Sequence, residues 1–157
     1  MSSDARFQSL QIAVLTVSDT RTVANDTSGD YLSEQLQQAG HQLIARNLLP
    51  DDISQLRAVV SQWIADPSVE IILTTGGTGL TGRDGTPEAL VPLFDKTIEG
   101  FGELFRYLSF QEIDTSTVQS RAVAGVANGT YLFCLPGSTG ACRLGFHQKC
   151  PCCSAWT

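Results

Sequence analysis

A glycine-rich turn followed by a single acid is the part of this chain best suited to chemistry. The apolar residues 71–73 end in the threonine and glycine turn of residues 74–79, and Asp84 follows this turn. Glycine has no Cβ atom, so the backbone of such a turn can come close to a ligand and direct its N–H groups at an anion. A carboxylate beside the turn suits a metal ion or a substrate group. The segment therefore predicts a site for a phosphate-bearing ligand at the carboxyl end of a strand.

Two further acids follow predicted strands in the same way. Asp19 comes after the first strand and Asp51 after the second, as Asp84 comes after the third. The carboxyl ends of parallel strands meet at one edge of a sheet, so the three carboxylates are expected to converge there. Carboxylates and phosphate oxygens together are the ligands that Mg²⁺ takes in nucleotide sites. For Asp51 the alternative is an acid in the first turn of a helix, where it complements the helix dipole.

Other interpretations of the turn are weaker or stay open. Residues 77–82 match the dinucleotide pattern G-x-G-x-x-G, but that pattern belongs in the first strand–helix turn and directly before a helix. A P-loop is excluded because no Gly-Lys-Ser/Thr follows the glycines. A tight turn without a ligand remains an alternative for residues 76–79. Ser120 and Arg121 are equally consistent with an anion contact and with an exposed surface pair.

Alternating strand and helix patterns place these groups in an α/β fold. Strands are predicted at residues 11–17, 41–49, 69–75, 122–127 and 130–135. Helices are predicted at residues 26–39, 50–64, 87–95 and 102–113. The initial β-α-β-α-β order indicates a parallel sheet, and Asn128-Gly129 indicates a late antiparallel hairpin. We expect a three-layer α/β/α domain with a mostly parallel sheet at residues 10–143, after a flexible N-terminus at residues 1–9.

Composition restricts the classes of function. The 157 residues are 42% hydrophobic and 17% charged, which fits one globular domain. The net charge of −6 argues against nucleic acid as a partner, because phosphate backbones are bound by clustered Lys and Arg. No segment approaches the roughly 20 apolar residues of a membrane span, and the N-terminal residues do not have the pattern of a signal peptide. We therefore expect a cytoplasmic protein that is not bound to a membrane.

The same segments carry a family resemblance. Residues 74–79, Arg83-Asp84 and residues 86–89 together resemble the signature of the MoaB/MogA family, which acts in molybdenum cofactor biosynthesis. The resemblance covers residues 10–145. Supporting segments are residues 16–19, 26–29, 100–103, 120–122 and 135–138. Within the family, the segments at residues 79–81, 106–110 and 136–139 are similar to the MoaB branch.

The resemblance implies a molybdopterin-binding-like fold, an activity and a set of site residues. It implies assembly as a trimer or hexamer, and the use of Mg²⁺ and ATP to transfer AMP to the terminal phosphate of molybdopterin. Two acids of the active branch match Asp51 and Asp84, which are thereby implied as catalytic and metal-binding residues. The implied substrate-binding residues are Ser18, Asp19, Thr75, Gly76, Gly77, Thr78, Gly79, Pro136, Gly137 and Ser138. Other proteins of molybdenum cofactor biosynthesis are implied as further partners.

Two alternatives to an adenylyltransferase stay open. The first is a molybdopterin-binding protein that stores or delivers its ligand without turnover. The second is an oligomeric interaction module, for which the apolar segment of residues 101–105 could supply an interface. The presence of both Asp51 and Asp84 favours activity.

The C-terminal residues 144–157 depart from the family pattern. Relatives continue with an amphipathic helix, whereas Pro151 and a cluster of cysteines interrupt the helical pattern here. A metal site is disfavoured because the cysteine spacing does not give the usual C-x₂₋₄-C pairs. That site would draw on Cys142, His147, Cys150, Cys152 and Cys153. We favour a shift of the reading frame near residue 144. Sequencing the gene through this region tests the idea, and an intact frame that gives the same residues would contradict it.

Overall fold

The computed structural model describes residues 7–147, in which six strands lie between two layers of helices. The strands are β1 (Gln11–Val17), β2 (Gln42–Leu49), β3 (Ile71–Thr75), β4 (Lys96–Thr97), β5 (Val123–Ala127) and β6 (Thr130–Leu135). The helices are α1 (Thr27–Gln38), α2 (Ile53–Ala65), α3 (Thr86–Leu90), α4 (Glu99–Ile113) and α5 (Thr139–His147). Short 3₁₀ turns occupy Val23–Asn25, Val91–Leu93 and Asp114–Gln119. Within this part of the chain, no helix combines the length and the apolar character that crossing a bilayer requires.

The sheet has the strand order β2-β1-β3-β6-β5-β4. Strands β2, β1, β3 and β6 are parallel, while β5 and β4 run antiparallel to their neighbours. The predicted parallel sheet and late hairpin are therefore confirmed, with Asn128 and Gly129 at φ values of 49° and 79° in the hairpin turn. The sequence did not predict β4, because its two exposed residues are too few to show a strand pattern.

Both faces of the sheet are covered, which explains the unbroken apolar runs of its central strands. Ile12 and Val14 of β1 pack in a cluster with α1, α4 and α5, while Leu15 of the same strand packs with α2 and α3. The three-layer α/β/α architecture is confirmed. Phe101 and Phe105, which the sequence offered as an interface, are instead 5% and 1% exposed in the first cluster. The interface prediction for residues 101–105 is therefore wrong, because the sheet already covers these rings.

The last helix continues beyond the predicted domain boundary. α5 includes residues 144–147, and Leu144 and Phe146 are buried in the same cluster as Cys142. Cys142 and Phe146 are four positions apart and so share a helix face, a stripe that the nearby glycines and cysteines obscured in the sequence. Residues 148–157, and with them the reading-frame hypothesis, lie outside the described residues.

His41 gives the fold a defined pH dependence. Its Nδ1 accepts a hydrogen bond from the backbone N–H of Leu10 at 3.2 Å, and its ring contacts that of Phe7. Burial lowers the pKa of His41, and the carboxylate of Glu70 opposes this effect. The folded chain therefore favours the neutral ring. The stability that it contributes is complete above the ordinary pKa of 6.5 and is lost as pH falls through the lowered pKa.

We expect His41→Asn to flatten the pH dependence of stability as pH falls below the ordinary histidine pKa of 6.5. The wild type should lose unfolding free energy there, because protonation of His41 Nδ1 removes the acceptor of its hydrogen bond from Leu10. Urea titrations at several pH values measure the slope. His147→Gln, which alters the other histidine of the chain, serves as the control and should keep the wild-type contribution of His41. Equal slopes for wild type and His41→Asn would contradict the assignment.

Candidate functional site

A cavity of about 620 Å³ opens at the carboxyl ends of β1, β3 and β6. The predicted acids Asp19, Asp51 and Asp84 all line it, together with the glycine turn. The structure thus brings together every residue that the sequence predicted for the site. Besides the acids, these are Ser18, Thr75, Gly76, Gly77, Thr78, Gly79, Pro136, Gly137 and Ser138.

The glycine turn can pack against its neighbours only because its glycines have no side chains. Gly76 has φ +102°, and a Cβ atom there would lie 2.1 Å from the carbonyl oxygen of Val17. Gly77 has φ +67°, and its Cβ would lie 2.6 Å from Oδ2 of Asp51. The N–H of Gly76 donates to the carbonyl oxygen of Leu135 at 3.0 Å. The turn is therefore packed directly on β1, on β6 and on one of the acids.

A second turn lies beside the glycine turn. Thr75 Oγ1 donates to the carbonyl oxygen of Pro136 at 3.1 Å, and Gly137 approaches Gly76 so closely that a Cβ would lie 3.2 Å from its Cα atom. Ser138 Oγ accepts the N–H of Ala141 at 3.0 Å. Ser138, predicted to bind a ligand, therefore also caps the N-terminus of α5. This end of the helix borders the cavity.

Asp51 is held against the loop that follows the glycine turn. Its carboxylate accepts the N–H of Gly85 at 3.0 Å, and the N–H of Asp51 donates to Asp19 at 3.0 Å. Burial raises the pKa of Asp51, and the negative charges of Asp84 and Asp19 raise it further. Asp51 thus lies in a local excess of negative charge, which a cation would relieve. The alternative considered from the sequence, that Asp51 lies in the first turn of a helix, is wrong, because α2 begins at Ile53 and its cap is Asp52, which accepts the N–H of Gln55.

Asp84 is fixed by its own loop. Its Oδ2 accepts both the hydroxyl and the N–H of Thr81, at 2.6 and 3.0 Å. The Thr81 hydroxyl is the main reason that the pKa of Asp84 is lowered, and the N–H of Gly79 also contributes. The side chain lies so close to Gly79 that a Cβ there would be 2.6 Å from Oδ2. Asp84 is therefore an ionised carboxylate directly beside the glycine turn.

Asp19 pairs with Arg83 at the surface of the protein. Nε and Nη2 of Arg83 donate to the two carboxylate oxygens of Asp19 at 3.0 and 2.9 Å. This bidentate contact is the main cause of the lowered pKa of Asp19. Ser18 Oγ accepts the N–H of Arg21 at 3.0 Å and so shapes the turn after β1.

The donor set fits a cation that is shared with a ligand. Within residues 7–147 no group of three or more His, Cys, Asp or Glu side chains is placed to hold a metal ion alone. Asp51 and Asp84 both face the glycine turn. One or two carboxylates with substrate phosphates are the usual protein ligands of Mg²⁺. The arrangement suits Mg²⁺ bound together with a phosphate-bearing molecule.

One wall of the cavity was missed by the sequence interpretation. It comes from α4 and the following 3₁₀ turn, and it carries no charge. Its residues are Phe105, Ser109, Ile113, Ser116 and Gln119, and it ends at Ser120, for which the sequence left an anion contact open. Phe105, Ser109 and Ile113 are spaced by four positions on α4, a pattern that a core-facing stripe shows equally. Arg21, also in the lining, could have been found from its position just after β1.

Ser120 and Arg121, which the sequence left undecided, have different environments. Ser120 lines the cavity, and its buried hydroxyl has no hydrogen-bond partner among the residues that the structure describes. The guanidinium of Arg121 instead donates to backbone carbonyl oxygens of the glycine turn, such as that of Gly79 at 2.9 Å. The donors of Arg121 are therefore taken by backbone carbonyl oxygens and by the carboxylate of Glu88, and the residue does not line the cavity.

Comparison with known proteins gives consistent matches over most of the chain. A family model described as a probable molybdopterin binding domain matches residues 13–153. Molybdenum cofactor biosynthesis protein B of Escherichia coli strain K12 is 56% identical over 138 residues, covering 88% of this chain and 81% of that protein. The crystal structure of a molybdenum cofactor biosynthesis protein B has a TM-score of 0.87 at 40% identity, covering 90% of this chain and 89% of that one. A tungsten cofactor synthesizing protein MoaB from Pyrococcus furiosus has a TM-score of 0.81 at 34% identity, covering 90% of each chain.

Proposed function

The chain belongs to the MoaB/MogA family of molybdopterin-binding domains, and from this we propose that it acts in molybdenum cofactor biosynthesis as a Mg²⁺-dependent molybdopterin adenylyltransferase. Its substrates are molybdopterin and ATP. The protein works in the cytoplasm, alongside other proteins of molybdenum cofactor biosynthesis.

The observation that carries the proposal is the position of two carboxylates against an anion-binding turn. A Cβ atom at Gly77 would lie against the carboxylate of Asp51, and a Cβ atom at Gly79 would lie against that of Asp84. Among the residues that the structure describes, the N–H groups of Gly77 and Thr78 donate to no protein group. These amides are suited to phosphate oxygens, while the acids would repel an anion unless a cation accompanied it. A nucleotide bound with Mg²⁺ satisfies both requirements.

The transfer needs positioned charges and no covalent intermediate. An oxygen of the terminal phosphate of molybdopterin attacks the α-phosphorus of ATP and forms a new P–O bond. The bond from that phosphorus to the oxygen bridging to the β-phosphate breaks, and pyrophosphate leaves with the bonding electrons. Asp51 and Asp84 would hold Mg²⁺, which when bound neutralises phosphate charge. The glycine turn orients the phosphates, and the uncharged wall of α4 offers a surface for a ring system.

Assembly as a trimer or hexamer belongs to the same proposal. Tyr107, Phe110, Ile113 and Val118 expose between 51% and 80% of their area on α4 and the 3₁₀ turn. Exposed apolar groups so close together are typical of a surface that contacts another chain. This surface replaces residues 101–105 as the candidate interface.

The experiment that tests the function measures ligand binding and product together. Purified protein is incubated with molybdopterin, ATP and Mg²⁺, and the pterin products are separated by chromatography. Adenylylated molybdopterin and pyrophosphate in equal amounts are the expected result. Pterin binding without product would overturn the transferase in favour of a storage or delivery protein. Failure to bind molybdopterin would overturn both and favour an interaction module.

A further inference from the structure

The side chain of Arg121 bonds to both ends of the loop that carries Asp84. Its Nε donates to the carbonyl oxygens of Thr78 and Gly79 at 3.2 and 2.9 Å, and Nη2 donates to the carbonyl oxygen of Asp84 at 3.1 Å. Nη1 contacts the carboxylate of Glu88 in α3. One guanidinium therefore joins the two ends of residues 78–84 and ties them to a helix.

In the described part of the chain, the other side-chain contact of this loop with a distant segment is the pair of Arg83 with Asp19, which is exposed, and such surface pairs contribute little. Residues 78–84 belong to no strand or helix, and Leu80 within them is 67% exposed. The contacts of Thr81 with the carboxylate of Asp84 are internal to the loop, so they fix its shape but not its position. The position of the loop, and with it the position of the Asp84 carboxylate relative to Asp51, consequently depends on Arg121.

We propose that Arg121 is a positioning residue for the reaction, which acts by holding the carboxylate of Asp84 beside the glycine turn. The inference rests on the proposed function, and it assigns Arg121 no contact with substrate. Arg121 does not belong to the cavity lining, although its neighbour Ser120 does. Its charge is balanced by Glu88, whose pKa is lowered chiefly by the hydrogen bond from Arg121.

Arginine suits this role because of its geometry. The planar guanidinium presents its donors in a rigid fork, so it reaches several carbonyl oxygens and a carboxylate together. A lysine at this position keeps the positive charge near Glu88. Its single ammonium group, on a flexible side chain, cannot hold both ends of the loop. Arg121→Lys therefore separates the geometric role from the electrostatic one.

The test compares Arg121→Gln and Arg121→Lys with Arg57→Gln. Arg57 is a matched control because its guanidinium also donates to backbone carbonyl oxygens, those of Glu88 and Ala89 at 3.0 and 3.1 Å, but it does not touch the loop. Both Arg121 variants should lower kcat for AMP transfer by about 10–100-fold, with KM for ATP changed less than about threefold. Arg57→Gln should leave both constants near those of the wild type.

A double-mutant cycle with Asp84→Asn shows whether Arg121 acts through Asp84. Arg121→Gln should change the rate by less than about twofold once Asp84 is replaced. Rate losses that multiply in the double variant would overturn the proposal. Equal losses for Arg57→Gln and Arg121→Gln would overturn it as well, since they would indicate general destabilisation.

Amide hydrogen exchange provides a readout that does not need turnover. Arg121→Gln should speed exchange in residues 78–84 by about tenfold, while Arg57→Gln leaves this segment unchanged. If the wild type transfers no AMP, the proposed function fails and the exchange result alone decides whether Arg121 holds the loop. Unchanged exchange in the Arg121 variants would overturn the proposal whatever the activity.

Discussion

Asp84→Asn is expected to lower the rate of AMP transfer on the order of 10³-fold, equivalent to about 4 kcal/mol of transition-state stabilisation. The asparagine is nearly isosteric and its side-chain oxygen can still accept the hydrogen bonds from Thr81. The loop should therefore keep its shape while losing the negative charge beside Gly79. That charge is what would hold a cation against the phosphates.

Stability and charge can be separated in this experiment. The thermal unfolding midpoint of Asp84→Asn should stay within a few degrees of the wild type, because the side chain is near the surface. Asp66→Asn is a matched control. Asp66 also accepts a hydroxyl and an N–H from one nearby residue, Ser68, but it lies outside the cavity. Activity loss of similar size in both variants would contradict a specific role for Asp84.

Binding of Mg²⁺ should also depend on the carboxylate of Asp84. Binding to the folded state alone raises stability, so Mg²⁺ with ATP at about ten times the dissociation constant should add about 1.4 kcal/mol. Asp84→Asn should reduce this gain. It should also lower the raised pKa of Asp51, since the charge of Asp84 is one of its causes.

Gly76→Ala is expected to cost about 2–5 kcal/mol of unfolding free energy. The added Cβ would lie 2.1 Å from the backbone oxygen of Val17, and φ is +102°, where a side chain is strained. Backbone atoms of β1 cannot move aside without disturbing the sheet. The unfolding midpoint should fall on the order of 10 °C, and urea titration gives the free energy directly.

Two other glycines divide this effect into its parts. Gly129 has φ +79° but no atom within 4 Å of its Cβ position, so Gly129→Ala measures the conformational strain alone. Gly82 has open space and no positive φ, so Gly82→Ala should be neutral or slightly stabilising. If Gly76→Ala costs no more than Gly129→Ala, the close approach to Val17 is not the cause.

The positions of the acids were predictable because strand ends are local features of the sequence. Asp19, Asp51 and Asp84 each follow an apolar run, and the parallel arrangement of these runs places their ends at one edge. The glycine turn was recognisable for the same reason. Local patterns do not show which residue each acid pairs with. The pairing of Asp19 with Arg83 joins residues 64 positions apart.

The wall of α4 and the role of Arg121 depend on packing between distant segments. Ser109 lies on the same helix face as Phe105, which belongs to the core, so helical spacing could not reveal a cavity beside it. Arg121 reaches carbonyl oxygens 37 to 43 positions earlier in the chain. Backbone carbonyl groups occur at every residue and leave no trace in a sequence. The continuation of α5 past residue 143 was hidden by glycine and cysteine at helical positions.

Transfer of label from ATP to the pterin shows whether the protein is an adenylyltransferase. Molybdopterin, Mg²⁺ and the wild-type protein are incubated with ATP that carries label in the α-phosphate or, separately, in the γ-phosphate, and the pterin fraction is isolated. The expected result is label from the α-phosphate in the pterin product, none from the γ-phosphate, and loss of the product in Asp84→Ala. Label from the γ-phosphate, or no labelled pterin although molybdopterin is bound, would contradict it.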